Sequence, residues 1–285
     1  MTDSGHIHIG TSGWSYPQGE GTWNGNFYPP GTKNELECYS RFFNTVEVNS
    51  SFYRPPAPAV TANWVKKTPD NFLFAVKLWQ KFTHPKMYQA ATGEIAAISA
   101  MDIDLFKSSI EPLVRAGKLG ALLAQFPPSF INDSYGRQIL GAVTSTFKEY
   151  CLAVELRHRS WSDDPATADL LKENNVCWVK IDEPKFSFSI APEIPLTSDM
   201  AYFRFHGRNA ADWWKGDVET RYKYLYSPEE INELADKVKL VSTQVETTHV
   251  FFNNHWKAFA PRNANDLLKA LQLPLVELPV YRFTE

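Results

Sequence analysis

Short runs of alternating or continuously apolar residues recur along the chain, separated by longer stretches with helical spacing. The β-rich runs fall near residues 7–10, 45–49, 72–78, 119–125, 151–157, 176–182, 200–206 and 248–254. The 3.6-residue patterns between them predict helices around 33–43, 58–67, 102–116, 134–149, 166–174 and 228–243, with a last one near 263–271. The stretch 183–199, rich in Pro and Ser, predicts a loop in place of a helix. Strands alternating with helices pair in parallel. Eight of them within 285 residues imply an α/β fold, a single-domain (β/α)8 barrel of the TIM type spanning 1–285.

Side-chain parity supports closure. In the fifth run Leu152, Val154 and Leu156 share one face, and Ala153, Glu155 and Arg157 the other. The second run sets Val46 and Val48 opposite Glu47 and Asn49, and the third sets Lys77 opposite Phe72, Phe74 and Val76. The sixth sets Cys177, Val179 and Ile181 opposite Trp178, Lys180 and Asp182. The seventh sets Ala201, Phe203 and Phe205 opposite Tyr202, Arg204 and His206. An open doubly wound sheet needs both faces apolar, because helices cover both. A barrel turns the second face inward and opens it at the C-terminal mouth, where barrel enzymes keep their chemistry.

The expected inward set is Glu47, Asn49, Lys77, Gln125, Glu155, Arg157, Lys180, Asp182, Arg204 and His206, with Asn253 or Asn254 from the eighth run. Burying so many ionisable groups is costly unless they pair or serve a ligand. A structural ring of salt bridges, such as Glu155 with Arg157 or Arg204, is the competing account. Loops after the strands add Tyr53, Arg54, Lys81, His84, Arg159 and Arg208, so cations outnumber anions at the mouth. That excess points to a phosphate or carboxylate ligand, which Arg meets with forked donors. Seven of the nine tryptophans (Trp14, Trp23, Trp79, Trp161, Trp213, Trp214 and Trp256) fall in these loops or at strand ends. They form either packing lids or a stacking wall for sugars or bases, with Trp14 and Trp161 as the candidates for ligand contact. A helix start following the eighth strand is a common phosphate site, though ordinary capping by Asn263 explains the same residues.

Charge and composition narrow the classes. A net charge of −3 speaks against a general nucleic-acid coat or a membrane-surface binder. No apolar run reaches membrane-spanning length, and no basic, then apolar, leader opens the chain, so a cytoplasmic protein is expected. Cys38, Cys151 and Cys177 form no C-x-x-C pair, and Cys151 and Cys177 read as small buried hydrophobes. No Walker loop, G-x-S-x-G elbow, H-E-x-x-H helix or dinucleotide fingerprint occurs, and no cofactor is expected. Gly10-Thr11-Ser12-Gly13 offers small residues suited to a close backbone approach.

Several motifs resemble those of the YecE-like proteins, a bacterial and archaeal family catalogued as a domain of unknown function. They are Ile9-Gly10-Thr11-Ser12-Gly13-Trp14-Ser15-Tyr16, Trp23-Asn24-Gly25-Asn26-Phe27-Tyr28-Pro29 and Val46-Glu47-Val48-Asn49-Ser50-Ser51-Phe52-Tyr53-Arg54. Further along come Gln125-Phe126-Pro127-Pro128-Ser129-Phe130 and Val154-Glu155-Leu156-Arg157-His158-Arg159-Ser160-Trp161. Tyr202-Phe203-Arg204-Phe205-His206-Gly207, Phe252-Asn253-Asn254-His255 and Asn263-Ala264 complete the pattern. The resemblance implies a TIM-type barrel and carries no reaction with it. Trp256-Lys257 departs from the small, Gly-containing stretch usual there, which weighs against a phosphate role for that loop.

Two classes of function follow. One is an enzyme doing acid–base chemistry on a phosphorylated or otherwise anionic, sugar- or nucleotide-like substrate. There Glu47 and Glu155 would be acid and base, His206 a proton shuttle, and Lys77, Arg157 and Arg204 would neutralise developing charge. Two carboxylates also suit glycoside hydrolysis. A hydrolase or isomerase dependent on a divalent metal would use Glu47, Glu155, Asp182 and His206 as ligands, against the repulsion of the interleaved cations. The other class is a non-catalytic binder of nucleic acid or another anionic ligand.

Overall fold

The computed structural model describes residues 6–93, 98–214 and 218–278. Nine parallel strands surround one axis: β1 (His6–Ser12), β2 (Thr45–Val48), β3 (Leu73–Lys77), β4 (Leu119–Gln125), β5 (Leu152–Glu155), β6 (Cys177–Trp178), β7 (Lys180–Asp182), β8 (Met200–Phe205) and β9 (Thr247–Phe252). Their hydrogen-bonded order is β6-β5-β4-β3-β2-β1-β9-β8-β7. The two ends of that order, β6 and β7, are halves of one run interrupted at Val179, whose N–H still reaches the Val154 carbonyl at 3.0 Å. The first half pairs with β5 and the second with β8, so one strand changes partner and the sheet curls into the eight-membered barrel that parity predicts.

The two faces of the strands build two cores. Val46, Val48, Phe74, Val76, Leu122, Val154, Phe203 and Phe205 pack outward against the helices. Inside lies a smaller cluster of Ala75, Ala121, Leu123, Ala153, Cys177, Val179, Met200, Tyr202 and Phe251. Towards the N-terminal end of the ring His8 stacks on His249 with centroids 5.3 Å apart. Small residues on β3, β4 and β5 face large ones on β8 and β9, which fills the interior without widening it.

Most helices fall where periodicity predicts them: Pro58–Lys66, Ala100–Arg115, Ser134–Thr146, Ala166–Glu173 and Pro228–Ser242. Ser99 opens the second with a capping box to Asp102. Ser227 opens the last the same way with Glu230, with Pro228 in the first turn. The helix expected over 33–43 is shorter, Glu35–Tyr39. No helix covers 183–199, as the Pro- and Ser-rich composition predicts. Helix Pro85–Thr92 has no counterpart in the pattern. The last helix begins early, at Phe259, so Asn263 lies inside it rather than capping it. It is reached through Lys257 and Ala258, both in the left-handed region at φ 44° and 64°, a conformation that glycine adopts without strain. Cys177 is buried as expected, but Cys151 is exposed, because its position precedes β5. Among the described residues no helix is long and apolar enough to cross a membrane.

The sixth run corrects the parity reading. Cys177, Val179 and Ile181 face the interior cluster, while Trp178 joins the outer core. Lys180 and Asp182 therefore point out of the barrel. Lys180 Nζ donates to the Ile194 carbonyl at 2.5 Å, and Asp182 accepts from Arg208 at 2.7 Å and from the Tyr226 hydroxyl at 2.8 Å. The outer side of this run is covered by loop 183–199, not by a helix. A loop supplies carbonyls and side chains that satisfy polar groups, so an apolar outer face is not required there.

Close packing beside β1 makes a clean test. A Cβ on Gly10 would sit 2.2 Å from the Thr45 carbonyl oxygen and 2.9 Å from the Tyr39 hydroxyl. Gly10→Ala should therefore cost about 2 kcal/mol or more, read as a lower urea midpoint. An unchanged midpoint would mean that β1 and β2 separate easily.

Candidate functional site

Three strands deliver the charged centre of the barrel. Glu47 comes from β2, Glu155 from the end of β5, Tyr202 and Arg204 from β8, and His206 follows β8 directly. All five side chains are buried. Arg204 spans the interior: its Nη2 and Nε donate to the two Glu47 oxygens at 2.7 and 2.8 Å, and its Nη1 donates to Glu155 Oε2 at 2.5 Å. Tyr202 adds a hydroxyl donor to Glu47 at 2.7 Å. Arg157 holds the other Glu155 oxygen through Nε at 2.6 Å and lies 3.4 Å from the Glu183 carboxylate. His206 sits between Arg157 Nη2 at 3.3 Å and Asn253 Nδ2 at 3.0 Å. The salt-bridge ring that competed with a ligand site is thus present, and an open cleft lies directly above it.

Burial alone would raise both carboxyls, but the charge of Arg204 and the hydrogen bonds it donates hold Glu47 below its usual value. Arg157 and Arg204 together hold Glu155 well below the carboxylate range. Burial lowers His206 to about 4 and His255 to about 4, so both are neutral at pH 7. Burial, with the Arg204 charge next, brings the Lys77 amine down to about 7.

The cleft encloses about 520 Å³ at the C-terminal end of the strands. Its cationic lining is Lys77, Arg157, Arg204 and Arg221, joined by His84 and His255, and no carboxylate lines it among the described residues. Glu47, Glu155 and His206 lie beneath this floor. Charge is therefore layered, with anions below and cations facing the opening. The two carboxylates pair with Arg204 and Arg157, and among the described residues no carboxylate forms an ion pair with Lys77 or Arg221. Lys77 Nζ donates to Gln125 Oε1 at 2.6 Å and lies 4.1 Å from the centre of the Phe52 ring. Arg221 Nε and Asn49 Oδ1 are buried at the cleft without hydrogen-bond partners among the described residues.

Of the residues expected to contact a ligand, Asn49, Tyr53, Lys77, Gln125, Arg157, Arg204, Asn253 and Trp14 line the cleft. Four do not. Asp182 points outward into the Arg208 cluster, for the reason given above. Asn254 is buried, donating to the Tyr224 carbonyl and to Asn263 Oδ1, each at 2.8 Å. Arg54 is exposed, away from the lining. Trp161 is buried, stacked on Phe130, and donates its indole N–H to the Phe130 carbonyl at 2.8 Å. Of the loop tryptophans only Trp14 lines the cleft; Trp23, Trp79, Trp161, Trp213 and Trp256 are packing residues, and Trp214 is exposed. Among the other loop cations, Lys81 is taken by Asp102 at 2.8 Å and Arg159 by Asp163 at 2.8 Å.

The sequence reading missed Arg221 and Tyr222. Their only signal is Arg221-Tyr222-Lys223-Tyr224, a basic and aromatic run in the segment between β8 and β9. The ligand set weighed for a divalent metal is divided, because Asp182 is outside and both glutamates hold Arg204. Among the described residues no three of His, Cys, Asp or Glu gather in a way that could hold a metal ion.

Fold and site together define a TIM-type barrel whose mouth presents cations braced by buried carboxylates. The chain belongs to the family described as "Protein of unknown function DUF72", whose model matches residues 8–281. It is 31% identical to the UPF0759 protein YunF of Bacillus subtilis over 280 residues, 94% of this chain and 95% of that one. It is 30% identical to the UPF0759 protein YecE of Escherichia coli K12 over 156 residues, covering 53% and 48% of the two chains. The crystal structure of a DUF72 family protein from Thermotoga maritima MSB8 superposes with a TM-score of 0.81 at 36% identity, over 94% of this chain and 99% of that one. One from Enterococcus faecalis V583 gives 0.80 at 29% identity, over 98% and 100%.

Two outcomes test the buried network. Arg204→Met leaves two buried carboxylates without their bridge and should cost about 3–5 kcal/mol in chemical unfolding. Combining it with Glu47→Gln and Glu155→Gln should recover most of that loss; no recovery would mean that the charges are not coupled. The second outcome concerns acid. His206 and His255 take up protons near pH 6.5 when unfolded but only near 4 when folded, so stability falls as pH falls through that window. Glu47 and Glu155 add to the loss further down, since their depressed values stabilise the fold only while they stay ionised. The melting temperature should drop from pH 7 to 4.5, less steeply in His206→Gln. A flat profile would contradict this assignment.

Proposed function

We propose that the protein is an enzyme that binds a small phosphorylated or carboxylated molecule in the barrel mouth and moves a proton on it. The layering of charge carries this reading: four cationic side chains line the cleft, and the carboxylates that brace two of them are sealed beneath. A carboxylate or phosphate is the complement of fixed guanidinium forks. Among the described residues Arg221 Nε has no hydrogen-bond partner, which supports the same reading, because an unmet buried donor is costly until a ligand satisfies it.

In this reading Glu47 and Glu155 position Arg204 and Arg157 and do not exchange protons. Both stay ionised at neutral pH, and their oxygens are already engaged. The acid–base role passes to Lys77, whose amine near 7 suits proton transfer at neutral pH. His206 holds Arg157 and Asn253 in place from below. The lining is amphipathic: Trp14, Phe52, Tyr53 and Tyr222 offer faces for the body of a sugar-like or ring-bearing ligand.

Calorimetric titration with phosphorylated sugars, nucleoside monophosphates and small dicarboxylates tests this. At least one class should bind saturably and raise the melting temperature. Arg221→Gln should weaken it about tenfold, the value of one charge-assisted hydrogen bond. Affinity should also fall as pH rises through 7, when Lys77 loses its charge. If no anion of the panel binds, or if Arg221→Gln and pH leave affinity unchanged, the reading is wrong.

A further inference from the structure

We infer that Lys77 forms an imine with its ligand, so that the site takes small anions bearing an aldehyde or ketone, such as a 2-oxo acid or a phosphorylated ketose. The inference rests on the anion-binding reading above and specifies the substrate class of that same site.

The placement of the amine carries the argument. Lys77 is the one lysine lining the cleft among the described residues. Other buried or half-buried lysines are tied into the scaffold: Lys81 to Asp102, Lys118 to the carbonyls of Val65 and Thr68, and Lys180 to the carbonyl of Ile194. Lys77 instead meets the neutral amide oxygen of Gln125 and the face of Phe52. No carboxylate pairs with it among the described residues, because Arg204 and Arg157 occupy Glu47 and Glu155. A desolvated lysine beside other cations is the environment that activates an amine as a nucleophile.

The consequence is large. An amine with a value near 7 is about half unprotonated at pH 7, whereas an ordinary lysine near 10.4 is free to roughly 0.04%. At neutral pH the free-amine fraction at Lys77 is thus about a thousandfold higher than on the surface. An anionic group docked on Arg221, Arg157 or Arg204 brings its own carbonyl to the same cleft and removes the entropy cost of the encounter.

The chemistry balances without a co-reactant. The lone pair on Nζ adds to the carbonyl carbon, the carbonyl π electrons move to oxygen, and a proton passes from nitrogen to that oxygen to give a carbinolamine. Loss of water then leaves a C=N bond between Lys77 and the ligand. The imine nitrogen takes up one proton from solvent, which restores the positive charge that the amine lacked, beside the ligand's anionic group, and withdraws electrons from the adjacent carbon. The C–H bond on that carbon is acidified as a result and gives its proton to solvent in the cleft, so the imine replaces direct proton transfer by the Lys77 amine.

The test uses the intact protein with pyruvate, dihydroxyacetone phosphate and, as a carbonyl-free control, glycerol phosphate. Each is incubated at pH 7.5 with sodium cyanoborohydride, and peptide mass mapping locates reduced adducts. We expect one carbonyl compound to label Lys77 at least tenfold faster than any other lysine, competition by glycerol phosphate, and loss of that label in Lys77→Arg. Unselective labelling, or labelling that persists in Lys77→Arg, overturns the imine. If glycerol phosphate and the carbonyl compounds bind while Lys77 stays unlabelled, the imine fails and anion binding stands. If none of them binds and Lys77 is not labelled, both fail. Circular dichroism of Lys77→Arg confirms that the variant is folded.

Discussion

Arg204 crosses the inside of the barrel and joins three strands that are not neighbours. From β8 it holds Glu47 on β2 with two hydrogen bonds and Glu155 on β5 with a third. Removing a guanidinium and two carboxylates from water costs several kcal/mol per ion, and that cost is offset only when the geometry satisfies every lone pair. Here Tyr202 and Arg157 complete the set. The strands therefore cannot slide in register without exposing a buried charge, and the positions of the other cleft residues follow from that restriction.

The same network decides what the mouth presents. Carboxylates in a barrel mouth suggest general acids, bases or metal ligands. When each is claimed from behind by arginine, it serves instead to hold the arginines forward. Lys77 has no carboxylate partner among the described residues and donates instead to the Gln125 amide oxygen at the edge of the charged centre. The division between ion-paired and unpaired groups, rather than the presence of charged residues, separates framework from chemistry at this site.

Membership of the DUF72 family and the match to its solved structures extend the architecture to relatives at about 30% identity. The motifs that resemble the family contribute Trp14, Glu47, Asn49, Glu155, Arg157, Arg204 and Asn253 to the floor and the layer beneath it. Arg221 and Tyr222 join the lining from a segment outside those motifs.

Strand parity is a local property, two residues per repeat, and it was enough to determine the barrel and the inward direction of Glu47, Lys77, Gln125, Glu155, Arg157 and Arg204. It failed at Lys180 and Asp182, because which face of a strand may be polar depends on what covers it, and loop 183–199 covers that one. Composition likewise identified an excess of cations near the mouth but not which of them were already neutralised. Arg208, Asn254 and Trp161 read like ligand residues until their neighbours are known. Direction along a strand is written in the sequence, since the backbone imposes it. Partnership across the barrel, the burial of each charge and the contacts of Lys77 exist only once distant strands meet, because electrostatic energy depends on distance and dielectric, and the chain order encodes neither.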